Sequence, residues 1–363
     1  MKIYFPNHRR RGFALLIAML AIFILATMAA ILAFSMKVET KLAVTANDDQ
    51  KLIWMGRSGA ELARWTLVQE ASIPGEPYDS LNELWAGGAG TVGESNSPLV
   101  GIPLTSFPVG NGSVSLKIVD LERYANINSA PTPLLQQTLT VMGVDADDIS
   151  VISDSIQDWV QPGDSPRIAG AKNDYYQSLN PPYNCKEAPI DDMGELLLVR
   201  GISEHPEIYF GGSSSNVPQK FHHQLGFANS ADQSEPPDYP FGLKDVFTPF
   251  STGLININTA DANVLQLIPG VDTNTVASIL QYRAGPSGDE TGSDATPFSS
   301  VNQLSAAGIS AAVAGGMARY CTVRSSTFRV TITARIGQDS RDFYAILFRA
   351  GNNVQIVNFY WDK

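Results

Sequence analysis

The chain has 363 residues, 44% of them hydrophobic, and a formal net charge of −11. That length holds two or three packed units, and the acidic balance argues against nucleic-acid binding, which draws on clustered cations. Two cysteines, Cys185 and Cys321, are too few for a disulfide scaffold but even in number.

At the N-terminus, Arg9-Arg10-Arg11-Gly12 precedes an uncharged run from Phe13 to Phe34, and Lys37 follows it. About 22 residues at ~1.5 Å each reach ~33 Å, enough to cross a bilayer core of roughly 30 Å. The arginines put the N-terminus in the cytoplasm and the chain beyond Lys37 across the inner membrane, in a compartment where disulfides persist. A cleaved secretory signal has an apolar region of about 7–15 residues and then a small-x-small site. Here the run is longer and passes into Ser35-Met36-Lys37-Val38-Glu39-Thr40-Lys41, a polar segment compatible with helix. The order of basic leader, Gly, Phe and apolar helix resembles the type IV prepilin signal. The resemblance implies a leader over residues 1–12, a prepilin peptidase cut between Gly12 and Phe13, and N-methylation of Phe13. Most members of that class carry Glu at the fifth mature position; this chain has Ile17 there.

The spacing of Val38, Leu42, Ala46, Ile53, Ala60, Ala63 and Leu67 extends the helix to about Glu70, where Ile73-Pro74-Gly75 stops it. Residues 13–70 thus read as one helix with the transmembrane segment at 13–34. Residues 71–112, rich in Gly, Pro, Ser and Asn, read as loop. Val114, Leu116 and Ile118 alternate with polar residues as a half-buried strand. Its partners lie at the other end: Phe328–Ile336, Asp342–Phe348 and Val354–Trp361, separated by Gly337-Gln338-Asp339 and Gly351-Asn352-Asn353, form an antiparallel meander. A lone strand does not stand by itself. Residues 71–124 and 322–363 therefore form one head, and residues 125–321 are an insertion. The expected class is α+β: a long N-terminal helix on a small antiparallel sheet, with a large, mostly helical inserted domain.

The insertion echoes itself. Asn126-Ile127-Asn128-Ser129-Ala130 matches Asn256-Ile257-Asn258-Thr259-Ala260, and Pro189-Ile190 with Gly201-Ile202-Ser203 matches Pro297-Phe298 with Gly308-Ile309-Ser310. Two related units follow, about 125–210 and 254–321, joined by a loop over 211–252. The second resembles a helix-hairpin-helix around Pro269-Gly270-Val271-Asp272. In DNA-binding hairpins a second Gly lets backbone amides at a helix N-terminus hold a phosphate. Asp272 stands there instead, and residues 254–321 carry five acids (Asp261, Asp272, Asp289, Glu290, Asp294) against two bases (Arg283, Arg319). Such a surface does not release counterions from DNA, so the hairpin reads as a packing module.

The segment Asp158-Trp159-Val160-Gln161-Pro162-Gly163-Asp164-Ser165-Pro166-Arg167, with Asn173-Asp174-Tyr175-Tyr176 and Pro181-Pro182-Tyr183, is similar to one found in the K-subunit family of minor pseudopilins in type II secretion (general secretion pathway protein K). Lack of the fifth-position Glu is a mark of that family. The resemblance covers nearly the whole chain except 71–112 and 211–252. It implies a pseudopilin fold and a non-enzymatic subunit at the tip of a periplasmic pseudopilus, which starts assembly and supports export of folded proteins across the outer membrane. The implied partners are minor pseudopilins I and J, other pseudopilins of the fibre, prepilin peptidase and the inner membrane. Contact with secreted cargo or the outer-membrane channel stays open, and a minor pilin of a related type IV pilus-like fibre is the alternative.

The family also implies calcium. Asp158, Asp164, Asn173 and Asp174 are hard oxygen donors on a Pro- and Gly-bearing loop and are the candidate ligands; solvated acids and helix caps are the alternative. Cys185 and Cys321 form either a mutual disulfide or two buried free thiols. Of the four histidines, His8, His205, His222 and His223, the adjacent pair His222-His223 has no partners at zinc spacing, and no Gly-x-Ser-x-Gly, P-loop or Cys-x-x-Cys motif occurs.

Overall fold

The computed structural model describes residues 11–212, 217–218 and 238–361. Helix α1, Arg11–Glu70, runs unbroken for 60 residues. In its second half Leu52, Met55, Ala60, Ala63 and Leu67 are buried, the apolar face that helical spacing produces. The chain then leaves the helix at Ile73-Pro74; proline has no amide to continue the ladder.

The buried face of α1 lies on a five-stranded sheet ordered β1-β2-β7-β8-β9. β1 is Phe107–Val109, β2 Gly112–Asp120, β7 Thr327–Ile336, β8 Asp339–Ala350 and β9 Asn353–Tyr360. All its pairings are antiparallel, and β2 meets β7 from Ser113↔Arg335 to Asp120↔Phe328. Alternation decides the face: Val114, Leu116, Ile118, Phe328, Val330, Ile332, Ala334, Phe343, Ala345 and Leu347 are all buried in one cluster with α1. Close approach is possible because α1 carries two glycines there. A Cβ on Gly56 would lie 2.6 Å from the Phe343 ring, and one on Gly59 2.5 Å from Ile332 Cγ2.

Two features differ from the sequence reading. Strand β1 adds an edge to the sheet. Residues 71–106 also hold two short 3₁₀ turns, Leu84–Ala86 and Gly93–Asn96, and bury Trp85, Glu83, Glu94 and Leu99. Trp85 packs edge-on against Phe328 at 5.3 Å. Glu94 accepts the amides of Leu84 and Thr91, so side-chain acceptors replace the backbone ladder whose period sequence patterning detects.

Between β2 and β7 a second hydrophobic cluster forms, from Ala125 to Cys321. It includes two parallel two-residue pairings, β3 (Ala125–Asn126) with β4 (Phe247–Thr248) and β5 (Ile255–Asn256) with β6 (Cys321–Thr322). Helix α2 (Thr132–Met142) leads through Gly143 and Val144 into α3 (Ala146–Val160). In the second unit, Ala262–Gln266 leads through Gly270 and Val271 into Thr273–Ala284. Both glycines sit in the left-handed region, at φ 85° and 83°, where a side chain is strained. Gly143-Val144-Asp145 thus repeats Gly270-Val271-Asp272, a match the sequence contains and the reading above did not use.

Candidate assembly surfaces and ion-binding residues

From Phe13 to Val44 the apolar side chains of α1 are exposed, Phe13 at 69% and Phe34 at 71%. This helix is long and apolar enough to cross a membrane. Gly12 and Phe13 lie at its start, and Ile17 is exposed one turn on. Arg9 and Arg10 fall outside the described residues, as do His8, His222 and His223.

The four expected calcium donors stand in different surroundings. Asp158 is buried in α3, where its carboxylate accepts the Arg167 amide at 2.9 Å. Burial pushes its carboxyl up; the Arg167 amide and the nearby Lys172 and Arg167 charges act against this. The Lys172 ammonium, itself buried, donates to the carbonyls of Asp158 and Gln161. Asn173 is used at both ends: its amide donates to Glu187 and its oxygen accepts the Cys185 amide. Asp164 and Asp174 are exposed, and the carboxylates of Asp158, Asp164 and Asp174 do not come within 4.8 Å of one another as a set. Around them Trp159 and Tyr176 meet edge-on at 5.3 Å. The segment that carries the family resemblance is thus a packed aromatic corner closed by a lysine.

Both cysteines are buried free thiols. Cys185 Sγ lies against the Asp158 carbonyl, whereas Cys321 belongs to β6. Burial pushes the Cys321 thiol up to about 12, which leaves it protonated and unreactive. Asp272 caps the helix Thr273–Ala284 by accepting the Thr275 amide at 2.8 Å. Hydrogen bonds from Thr275 hold its carboxyl below the usual range, so a fixed negative charge stands where a phosphate would bind. His205 is paired with Glu207 at 3.3 Å.

The paired Asn motifs are structural clamps. Asn128 donates to the Ile190 carbonyl at 3.0 Å and accepts the Ile190 amide at 2.7 Å. Asn258 does the same to Phe298, at 2.9 and 2.8 Å. The first Asn of the second copy goes further: the Asn256 side chain donates to the Asp79 carbonyl, Asp120 Oδ2 and Ser325 Oγ. Asp120, at the end of β2, also accepts from Thr259 and Ser325. Burial first, then the charge of Glu122, raises its carboxyl to about 7. Glu122 accepts the amides of Thr252 and Thr327, and Arg349 pairs with Asp79. The insertion is therefore joined to the sheet through a buried polar network and not through a bare linker.

The fold is thus a long helix, exposed and apolar in its N-terminal part and packed on an antiparallel sheet further on, with a mostly helical unit spliced between two adjacent strands. Residues 115–207 match the family model described as Type II secretion system (T2SS), protein K. It is similar to the Type II secretion system protein K of Klebsiella pneumoniae, 22% identical over 54% of this chain and 59% of that protein. It is likewise similar to that of Pectobacterium carotovorum subsp. carotovorum, 24% identical over 53% and 59%. A Putative type II secretion system protein K of Escherichia coli (strain K12) is 24% identical over 55% and 60%. The matches thus span about 60% of the length of these relatives. Among solved structures, a chain of the GspK-GspI-GspJ complex from the enterotoxigenic Escherichia coli Type 2 Secretion System shares the fold, with a TM-score of 0.59 at 15% identity over 88% of this chain and 98% of that one.

Proposed function

We propose that this protein is a non-enzymatic minor pseudopilin at the tip of the type II secretion pseudopilus. Residues 13–34 anchor it in the inner membrane with the N-terminus in the cytoplasm and the bulk of the chain in the periplasm. It starts fibre assembly with minor pseudopilins I and J and so supports export of folded proteins across the outer membrane. The observation that carries this reading is the insertion itself: a second hydrophobic cluster, from Ala125 to Cys321, spliced into the sheet at the β2–β7 junction. The names of the similar relatives and the composition of the solved complex support the same reading. Extraction from membranes should recover the protein with pseudopilins I and J. Recovery of the protein with neither, under conditions that keep I and J together, would sink the proposal.

Processing belongs to the same reading. Gly12 stands directly before the exposed apolar run of α1 that begins at Phe13, and a prepilin peptidase cut there leaves Phe13 as the N-methylated first residue. Intact mass of the membrane-extracted protein should show loss of residues 1–12 plus one methyl group. An uncut N-terminus, or a cut beyond Phe34, rules out the pilin route.

A further inference from the structure

The two faces of the five-stranded sheet differ in kind. One is covered by α1. On the other, alternation places Lys117 of β2 and Arg329 and Arg335 of β7, all exposed, with the half-buried hydroxyls of Ser115, Thr331 and Thr333 among them. The register pairs Lys117 with Thr331 and Val119 with Arg329, so Lys117 and Arg329 are diagonal neighbours on this face. Strand β8 continues the rows, with Asp342 opposite Thr333 and Tyr344 opposite Thr331. Tyr344 stacks on Tyr360 of β9 at 5.4 Å, and Phe348 beside them is 41% exposed.

These cations are unmatched. Among the described residues the lysines and arginines in ion pairs are Lys51, Arg64, Arg167, Lys186, Arg283, Arg341 and Arg349; Lys117, Arg329 and Arg335 are not among them. The acid on these rows, Asp342, accepts the Thr333 hydroxyl at 2.6 Å. A chain of net charge −11 thus keeps three uncompensated cations on one sheet face. Two cavities open beside them. One, of about 480 Å³, lies between Arg329 and the insertion and is lined in part by Lys244, Tyr209 and Phe250. Lys244 also lacks an acidic partner among the described residues and lies over the Phe210 ring at 5.2 Å. The acids of this cavity are engaged: Asp191 by Lys186, Asp192 by the Gly194 amide and Asp245 by the Gly242 amide. The other cavity, of about 260 Å³, sets Arg335 beside the hydroxyls of Ser113, Ser115 and Thr333.

We propose that this face, from Arg335 past Lys117 to Arg329 and Lys244, docks an acidic, extended segment of a second protein. Charge selects the occupant: carboxylates meet cations that the chain itself leaves free, and the hydroxyls between them donate to the same oxygens. Spacing fits an extended chain. At ~3.3 Å per residue, Arg329 and Arg335 stand roughly 20 Å apart along β7, a distance that about six extended residues of a partner cover. Tyr344, Tyr360 and Phe348 supply apolar surface for side chains between the acids. An anionic bilayer is out of reach. A Cβ on Gly112 would meet both the Arg335 carbonyl and Met55, so Arg335 stands level with Met55 of α1. Met55 lies about 21 residues, or roughly 30 Å, beyond Phe34 along the helix, well past the ~8 Å over which headgroup charge acts. Because α1 covers the opposite face, a partner held here leaves α1 accessible, and the inference does not depend on the pseudopilin reading.

The probe is a fluorescein-labelled peptide of about twelve residues, long enough to span the face when extended, with Glu at alternate positions and Val or Tyr between them. It is titrated with the full chain in a non-ionic detergent, and binding is read as anisotropy. One saturable site per chain is expected, weakening as salt is raised. Lys117→Gln with Arg329→Gln and Arg335→Gln should weaken it at least about tenfold, since exposed ion pairs contribute little singly and more as a set. Arg329→Lys with Arg335→Lys, which keeps the charge, should bind within a few-fold of the parent. Arg319→Gln, at an exposed position of the insertion, should change nothing. All these substitutions are on the surface, and an unchanged melting temperature separates lost binding from lost fold. The proposal is overturned if the acidic peptide does not bind, if the same peptide with Gln in place of Glu binds equally, or if the triple variant binds as the parent does. It is also overturned if sedimentation shows dimers of this chain that the triple variant abolishes, which would make the occupant a second copy. Displacement of the peptide by phosphatidylglycerol added to the micelle, but not by phosphatidylcholine, would assign the face to lipid and overturn it as well.

Discussion

Asn128 and Asn258 each use a side-chain amide to copy a strand partner, giving one donor and one acceptor to a single buried residue. Removing either leaves a backbone amide and carbonyl of the insertion without partners, at a cost of about 1–3 kcal/mol. Asn258→Ala should therefore lower the chemical denaturation midpoint of the detergent-solubilised chain, and Asn128→Ala should do so by a similar amount. Equality would reflect the shared geometry; a neutral Asn128→Ala would show that only the second copy is structural. Asp120 adds a pH dependence. Its carboxyl ordinarily titrates at 3.8 and in the fold at about 7, raised by burial and then by Glu122. The folded state thus holds a proton that the unfolded state has released between these values. The stability from this group is full below about 3.8 and declines as pH rises through about 7. Unfolding free energy measured from pH 4 to pH 7.5 should fall less steeply in Asp120→Asn than in the parent; an unchanged slope would assign the dependence to other groups.

At the scale of elements, α1 carries two environments on one continuous helix. Residues 13–34 are uncharged all round and exposed, while the second half buries one face on the sheet. Gly56 and Gly59 cost helix propensity, roughly 1 kcal/mol each relative to Ala, and permit the contact with Phe343 and Ile332. Gly59→Leu gains propensity but drives carbon into Ile332 and Val114, and overpacking of this kind costs about 1–3 kcal/mol. The variant should melt at a lower temperature than the parent. A higher melting temperature would mean that the helix can lift from the sheet without loss. In the insertion, α2 and α3 are joined by Gly143-Val144-Asp145 as the helices of the second unit are joined by Gly270-Val271-Asp272. Val144 and Val271 are buried in both turns. The repetition accounts for a helical hairpin that persists with an acid in place of the phosphate-binding glycine: the hairpin is kept for packing.

Across the whole molecule, the insertion leaves the sheet at Asp120 and re-enters at Thr327, and these ends are neighbours: Asp120 pairs with Phe328, and the Leu121 amide donates to the Thr327 carbonyl at 2.9 Å. A short turn in place of residues 125–321 can therefore close β2 onto β7 as a hairpin. Under the tip reading, Ile17 and the bulk of the insertion both keep the subunit out of the shaft. The side chain of Ile17 has no charge to neutralise the N-terminal amine of a neighbour in an apolar bundle. A chain with the insertion replaced by a turn and with Ile17→Glu should enter the shaft, whereas the native protein should occur once, at the distal end. Gold labelling decides this, and native protein found at regular intervals along the shaft would overturn the assignment.

Phe13–Phe34, the alternation around β2 and β7 and the Asn-Ile-Asn echo were legible in the sequence because each is a local regularity: an uncharged length, a period of two and a repeated string. The split of head and insertion could be argued from them, since a lone strand needs a partner. The donors after Asp158 could not be resolved that way. Four oxygens on one loop look alike in sequence, and only the fold shows Lys172 reaching back to the carbonyls of Asp158 and Gln161 while Asp164 and Asp174 face water. The reverse holds for residues 71–106, whose turn-rich composition reads as open loop. There Glu70, Glu76 and Glu83 converge because Trp85 docks on Phe328, more than two hundred residues away in the chain. Local patterning determines which segments form helix or strand. Which charges lose their water, and which of them meet, depends on contacts between distant segments, and that was decided by the tertiary structure.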